Sequence, residues 1–159
     1  MFLNENNILE PKFDITINKK AYTIKGTFKV LKVIQQTLDM EITELSGKLL
    51  TMPFTDMAKL IRVAIYPDMV SQKANEESDE TDKKRLSLEA IEEWMVEEGG
   101  IDDTRCLLFD FIRTAIVPKK KRKEAHEKAI ALLSGLLRVQ AALSTSTIDS
   151  LGKNTENSA

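Results

Sequence analysis

One histidine and one cysteine are the only imidazole and thiol in this 159-residue chain, so metal, acid-base or thiol chemistry would have to be built around them. A di-iron site on a helical bundle needs Glu-x-x-His. The residue three before His126 is Lys123, while Glu124 stands two before it, and there is no second histidine to complete a ligand set. A lone histidine on a helix is more often a packed or solvated side chain, and His126 is read that way. Cys106 has no partner for an intrachain disulfide and brings one thiolate to any zinc site, which excludes disulfide scaffolds and zinc fingers. It stands just before an apolar stretch and reads as a small packed side chain.

Other constellations fail on spacing. The six glycines, at 26, 47, 99, 100, 135 and 152, are too scattered to cradle a phosphate. Glu92, Glu93, Glu97 and Glu98 crowd together without the loop glycine and alternating oxygen ligands of a calcium site, so they read as a solvated face. With no nucleophile and base, metal cluster or phosphate loop in view, the expectation is a non-enzymatic protein without cofactor or metal.

Charge is the uneven property. Basic residues number 23 and acidic ones 25, a net −2 that argues against a general nucleic-acid binder. Between Glu76 and Glu98, however, ten acidic residues face three basic ones, and between Lys119 and Lys128 six basic residues face two acidic ones. The tract Lys119–Lys123 falls where a helix starts, where cations oppose the macrodipole. Three readings stand side by side: a solvated linker, a contact with the acidic stretch within a subunit or between neighbours, or a nucleic-acid contact. The last would make the chain a small nucleic-acid-associated regulator, testable by salt-sensitive DNA retention that vanishes when the tract is neutralised.

The elements that must position these residues follow from periodicity. Phe13, Ile15 and Ile17 alternate with polar residues, and Tyr22 and Ile24 resume the alternation after Asn18 and Lys19, as in a short β-hairpin whose loop type is left open by the missing Asn-Gly pair. Two strands are marginal alone, so their apolar face must pack on helices or on another chain. From Thr27 the period changes: Phe28, Leu31, Ile34, Leu38 and Ile42, widened by Val30 and Val33, predict a helix over 28–41. Further helices are expected over 43–50, from an N-cap at Thr55 to a stop at Pro67, from a cap at Ser87 to Gly99 and Gly100, and from Asp102 or Asp103 to Pro118. Leu107, Leu108, Phe111, Ile112 and Ala115 are the inward residues of the last of these.

The longest helix is expected over 120–143, with Ala129, Leu132, Leu133, Leu136, Val139 and Leu143 on one stripe and Glu127, Ser134 and Arg138 opposite. The stripe is wide enough for two sets of contacts, one arc completing the core and another receiving a partner helix; the alternative reading is core throughout. Ile130, Leu133, Leu136 and Leu137 are the candidate partner residues, with Lys120, Lys121 and Arg122 steering. The fold expected is mainly α with a short N-terminal β-hairpin, a multi-helix bundle ending in a long helix. Residues 1–11 form a flexible lead, 12–143 one domain containing a flexible acidic loop at 71–86, and 144–159 a disordered tail. A chain of this length can bury a single core without staples. No apolar run approaches the ~20 residues of a membrane span, and the first residues lack an export signal, so a cytosolic protein is expected.

Three segments carry a resemblance: KFDITINKKAYTIKGTFKVLKVIQQTL (12–38), MPFTDMAKLIRVAIYPD (52–68) and LSLEAIEEWMVEEGG (86–100). Together they resemble the tail assembly chaperones of long-tailed phages and prophages of Gram-positive bacteria, over roughly residues 12–116. In that family a hairpin leads into a helix, followed by a helix with a Tyr-Pro stop and a later Leu-Ser-x-Glu helix. The acidic insert and the basic tract depart from the simplest members. The resemblance implies a non-catalytic, self-associating protein of the host bacterial cytoplasm, absent from the mature virion. It would bind the tape measure protein, keep it soluble and recruit tail tube protein. Such families often also have a longer frameshifted product, for which the polar end after Leu143 would suit.

Overall fold

The computed structural model describes residues 1–69 and 85–156, and the side chains among these except those at 137, 140, 141 and 143–156. The fold is α+β: a two-stranded antiparallel hairpin followed, among the described residues, by six α-helices with the longest last. β1 (Lys12–Ile17) and β2 (Lys20–Lys25) pair from Lys12 opposite Lys25 to Ile17 opposite Lys20, leaving Asn18 and Lys19 as a two-residue loop. Both take positive φ, 53° and 66°, the backbone of a type I′ turn, which matches the twist of the strands. Asn tolerates that region through its short polar side chain; Lys19 holds it against the steric clash of its own Cβ.

The hairpin buries one face. Phe13, Ile15, Ile17 and Ile24 lie in the core, and the Phe13 ring meets Phe111 edge to face with centroids 5.1 Å apart. β1 packs on helix α4 and β2 on α3, so helices of the same chain supply the cover that two strands need.

Helix α1 (Phe28–Leu38) begins where the Thr27 hydroxyl accepts the N–H of Val30, and ends at Asp39, which takes φ 50°. α2 (Ile42–Leu49) follows directly, and its C-terminal end is held by Arg105, whose Nη1 donates to the carbonyls of Leu49 and Met52, each at 2.6 Å. α3 (Phe54–Ile65) starts after Pro53 without a side-chain cap, so the cap expected at Thr55 falls inside the helix: proline's fixed φ supplies the entry that a hydroxyl would otherwise give. α4 (Leu88–Trp94) has the expected Ser87 cap, with Ser87 Oγ accepting the Ala90 N–H at 3.1 Å, and it runs on as a π turn over Met95–Gly99. α5 (Ile101–Ala115) is buried almost all round, with Phe109 and Asp110 enclosed as well as the five inward residues expected; it is the central helix.

Three boundaries differ from the sequence expectation. Leu3, Ile8 and Pro11 are buried and Asn4 caps a 3₁₀ turn over Glu5–Asn7, so residues 1–11 are packed onto the body instead of forming a loose lead; two large apolar side chains suffice to dock so short a segment. The acidic loop placed at 71–86 lies outside the described residues except for its end, and there Leu86 is a core residue. Its N–H donates to Tyr66 Oη at 3.0 Å and its carbonyl accepts from Arg62 Nε at 2.8 Å. The last helix, α6 (Arg122–Glu156), continues through the segment expected as a tail, because Ser and Thr weaken a helix without stopping it and no proline intervenes.

Candidate partner surface

Lys119–Lys121 form one 3₁₀ turn between Pro118 and the start of α6. Lys120 and Lys121, the candidate steering charges, are exposed. Arg122 is not one of them: its Nη1 donates to the carbonyl of Leu9 and its Nε to that of Val117 at 3.3 Å, fastening the N-terminal segment to the root of α6. Lys119 reaches Glu10 at 3.9 Å and Lys128 bonds Glu124 at 2.9 Å, a contact that lowers the Glu124 carboxyl below its ordinary pKa. Part of the basic run is therefore occupied within the chain.

The apolar stripe of α6 divides. Ala129 and Leu133 are buried against the body, whereas Leu132, Leu136 and Val139 are 47%, 42% and 57% exposed. At about 100° per residue these three fall within a 60° arc whose centre lies roughly 90° from the buried side, so one helix presents a packed face and an open apolar ridge next to it. Of the residues expected to meet a partner, Leu136 is on the ridge and Ile130 is half-buried. Leu133 belongs to the core, a correction with a simple cause: periodicity finds the apolar side of a helix but not which part of it a neighbour already covers. The side chain of Leu137 lies outside the described residues. Leu132 and Val139, read in the sequence only as stripe residues, complete the ridge.

His126 also changes its surroundings. Asp110 is fully buried on α5, and His126 Nδ1 lies 2.8 and 2.9 Å from its two carboxylate oxygens. The Leu3 N–H donates to Asp110 Oδ2 at 2.8 Å and the Thr114 hydroxyl to Oδ1 at 3.2 Å. A carboxylate only accepts, so His126 carries its proton on Nδ1. The same Asp-His contact orients catalytic histidines, but no hydroxyl or thiol among the described residues hydrogen-bonds this ring. What the network does is join the N-terminal segment, α5 and α6 through one buried anion. Cys106, one turn before Asp110, is buried, and burial pushes its thiol pKa up, away from nucleophilic reactivity.

A cleft unforeseen in the sequence opens at the base of the hairpin. Two adjoining hollows of about 520 and 580 Å³ share Gly26, Phe28 and Arg122. Lys12, Lys25 and Lys119 line the first; Leu31, Lys32, Ile42 and Ile116 line the second. Phe28, expected on the buried face of α1, is 82% exposed between them, since the helix begins there and its first turn overhangs the gap. The backbone at Gly26 makes the cleft tight: a Cβ there would stand 2.9 Å from that of Ala115. No family model matches the chain, and neither does any curated protein or solved structure with which it was compared.

Proposed function

We propose that this chain is a tail assembly chaperone that binds the tape measure protein of a long-tailed phage or prophage, keeps it soluble and helps recruit tail tube subunits. Two things support the reading: the resemblance of residues 12–116, and the ridge of Leu132, Leu136 and Val139 left open on α6 beside a packed face. The ridge is the observation that carries it. A long helical protein with exposed apolar stripes aggregates unless those stripes are covered, and a ridge of i, i+4, i+7 spacing is suited to lie along such a stripe. One ridge of three side chains binds weakly; many copies along one long target bind firmly by avidity. Lys120 and Lys121, exposed at the root of the same helix, add electrostatic steering towards acidic stretches of the target. In this role the protein acts in the host cytoplasm and leaves before the virion is complete.

The test is co-expression with the tape measure protein encoded beside it. The soluble fraction of that protein should rise severalfold with the native chain and return to its unaided level with Leu132→Asp/Leu136→Asp. An unchanged soluble fraction with the native chain would reject the role.

A further inference from the structure

The cleft at the base of the hairpin is ringed by Lys12, Lys25, Lys32, Lys119 and Arg122 against the single acid Glu10, in a chain whose net charge is −2. Within it Lys12 and Lys25 are directly opposite each other across the two strands, both exposed. Like charges in that position repel, and among the described residues no acidic side chain bonds either one. Lys119 reaches Glu10, so the rim is not fully unpaired, but it keeps a net positive charge around an apolar centre, the exposed Phe28 ring with Leu31, Ile42 and Ile116 lining the cleft beside it.

The complementary surface is on the same molecule. α4 and its π turn present Glu89, Glu93, Glu97 and Glu98 exposed, with Glu92 half-buried beside them and Val96 59% exposed in their midst. None of these glutamates takes part in an ion pair among the described residues. One surface is a net cationic rim with an aromatic centre, the other an anionic ring with an aliphatic centre, and among the described residues no ion pair joins the two.

We infer that the Phe28 cleft receives the acidic 89–98 face of a second copy of this chain. The two surfaces differ, so the contact is head-to-tail: an open assembly of any length keeps one free cleft at one end and one free acidic face at the other, and copies add in series. The contact is small and charge-rich, so it is weak and salt-sensitive, forming when copies are concentrated. It stands on these two surfaces alone, independent of the α6 ridge and of the tape measure protein.

The experiment is sedimentation of the isolated full-length chain over a range of concentration and salt, with two charge-reversed variants. Lys25→Glu/Lys32→Glu makes the cleft rim acidic; Glu93→Lys/Glu97→Lys makes the acidic face basic. The native chain should associate as concentration rises and dissociate as salt rises. Each variant alone should associate at least about tenfold more weakly, since its like-charged surfaces then oppose one another. Mixed in equal amounts, the two variants should associate again. Lys25→Glu also replaces the Lys12–Lys25 repulsion by attraction, so its thermal stability should hold or rise while association falls, which separates this outcome from misfolding.

A native chain that stays monomeric in low salt at about 0.5 mM, the reach of a weak contact, overturns the inference. So does association that both variants retain, which would locate the contact elsewhere, for instance on the α6 ridge. A monomeric chain whose cleft instead captures a synthetic Glu- and Leu-rich peptide also overturns it, in favour of a foreign acidic partner. All of these results are read without the tape measure protein, so they leave the co-expression test to stand or fall separately.

Discussion

Lys19 shows how a single residue can be both required and strained. The two-residue loop fixes the hairpin register, and with it which face of β1 carries Phe13, Ile15 and Ile17. The loop needs positive φ at both central positions, and Lys19 holds 66° against the clash of its own Cβ. Glycine there removes the clash but adds freedom to the unfolded chain, so Lys19→Gly should stabilise the protein by a net ~0.5–1 kcal/mol. Lys19→Ala should bring no comparable gain, and urea unfolding of the three proteins measures the difference. The strands themselves were legible from alternation, but the turn was not, because its type is set by the backbone and by a register that only pairing reveals. Asp110 was illegible for a different reason. It interrupts an apolar stretch, as a surface residue would; of the groups that bond it Thr114 is one turn on along α5, while residues 3 and 126 are brought to it only by tertiary packing. His126, set aside in the sequence as a packed or solvated side chain, is packed, and its partner was the part no spacing rule could give.

At the scale of elements, periodicity located the helices well and their environments less well. Periodicity makes α5 one-sided, whereas it is enclosed on nearly every side; periodicity puts Phe28 on the buried face of α1, whereas it overhangs a cleft. In both cases the pattern states what a face is made of, and only the neighbours state how much of it they cover. α6 turns that distinction into a measurement. Leu133 and Leu136 are the same residue type three positions apart on one helix, the first 4% and the second 42% exposed. Leu133→Ala should leave a cavity between α6 and the body and cost about 3 kcal/mol, whereas Leu136→Ala should change stability by less than about 0.5 kcal/mol. Chemical unfolding resolves differences of this size. If the two costs come out equal, the ridge is not open and the division of the α6 stripe is wrong.

Across the whole molecule, the core is tied together at its start as well as at its centre. Leu3 and Ile8 are buried, the Leu3 N–H bonds the enclosed Asp110, and the Leu9 carbonyl accepts from Arg122 at the root of α6. The first nine residues therefore touch the two helices that matter most to the proposed surfaces: α5, which carries Asp110, and α6, which carries the ridge. Removing residues 1–9 takes away two buried apolar side chains, each worth about 1.5–3 kcal/mol before the entropy of ordering the segment is subtracted. It also withdraws one of the donors that satisfy a buried carboxylate, a loss of about 1–3 kcal/mol, since the anion stays in place. The segment is ordered in the folded chain, so its contacts outweigh its ordering entropy, and a chain beginning at Glu10 should unfold at a lower urea concentration than the native chain. A segment that were only a loose lead would be removed at no cost, so an unchanged urea midpoint would contradict its packing. The same truncation should weaken the anchoring of α6, because Arg122 loses a carbonyl partner and His126 then shares its carboxylate with fewer groups. Hydrogen exchange should accordingly rise first in the opening turns of α6 and at the centre of α5, before it rises in the hairpin, whose pairing and cover by α3 and α4 do not involve residues 1–9.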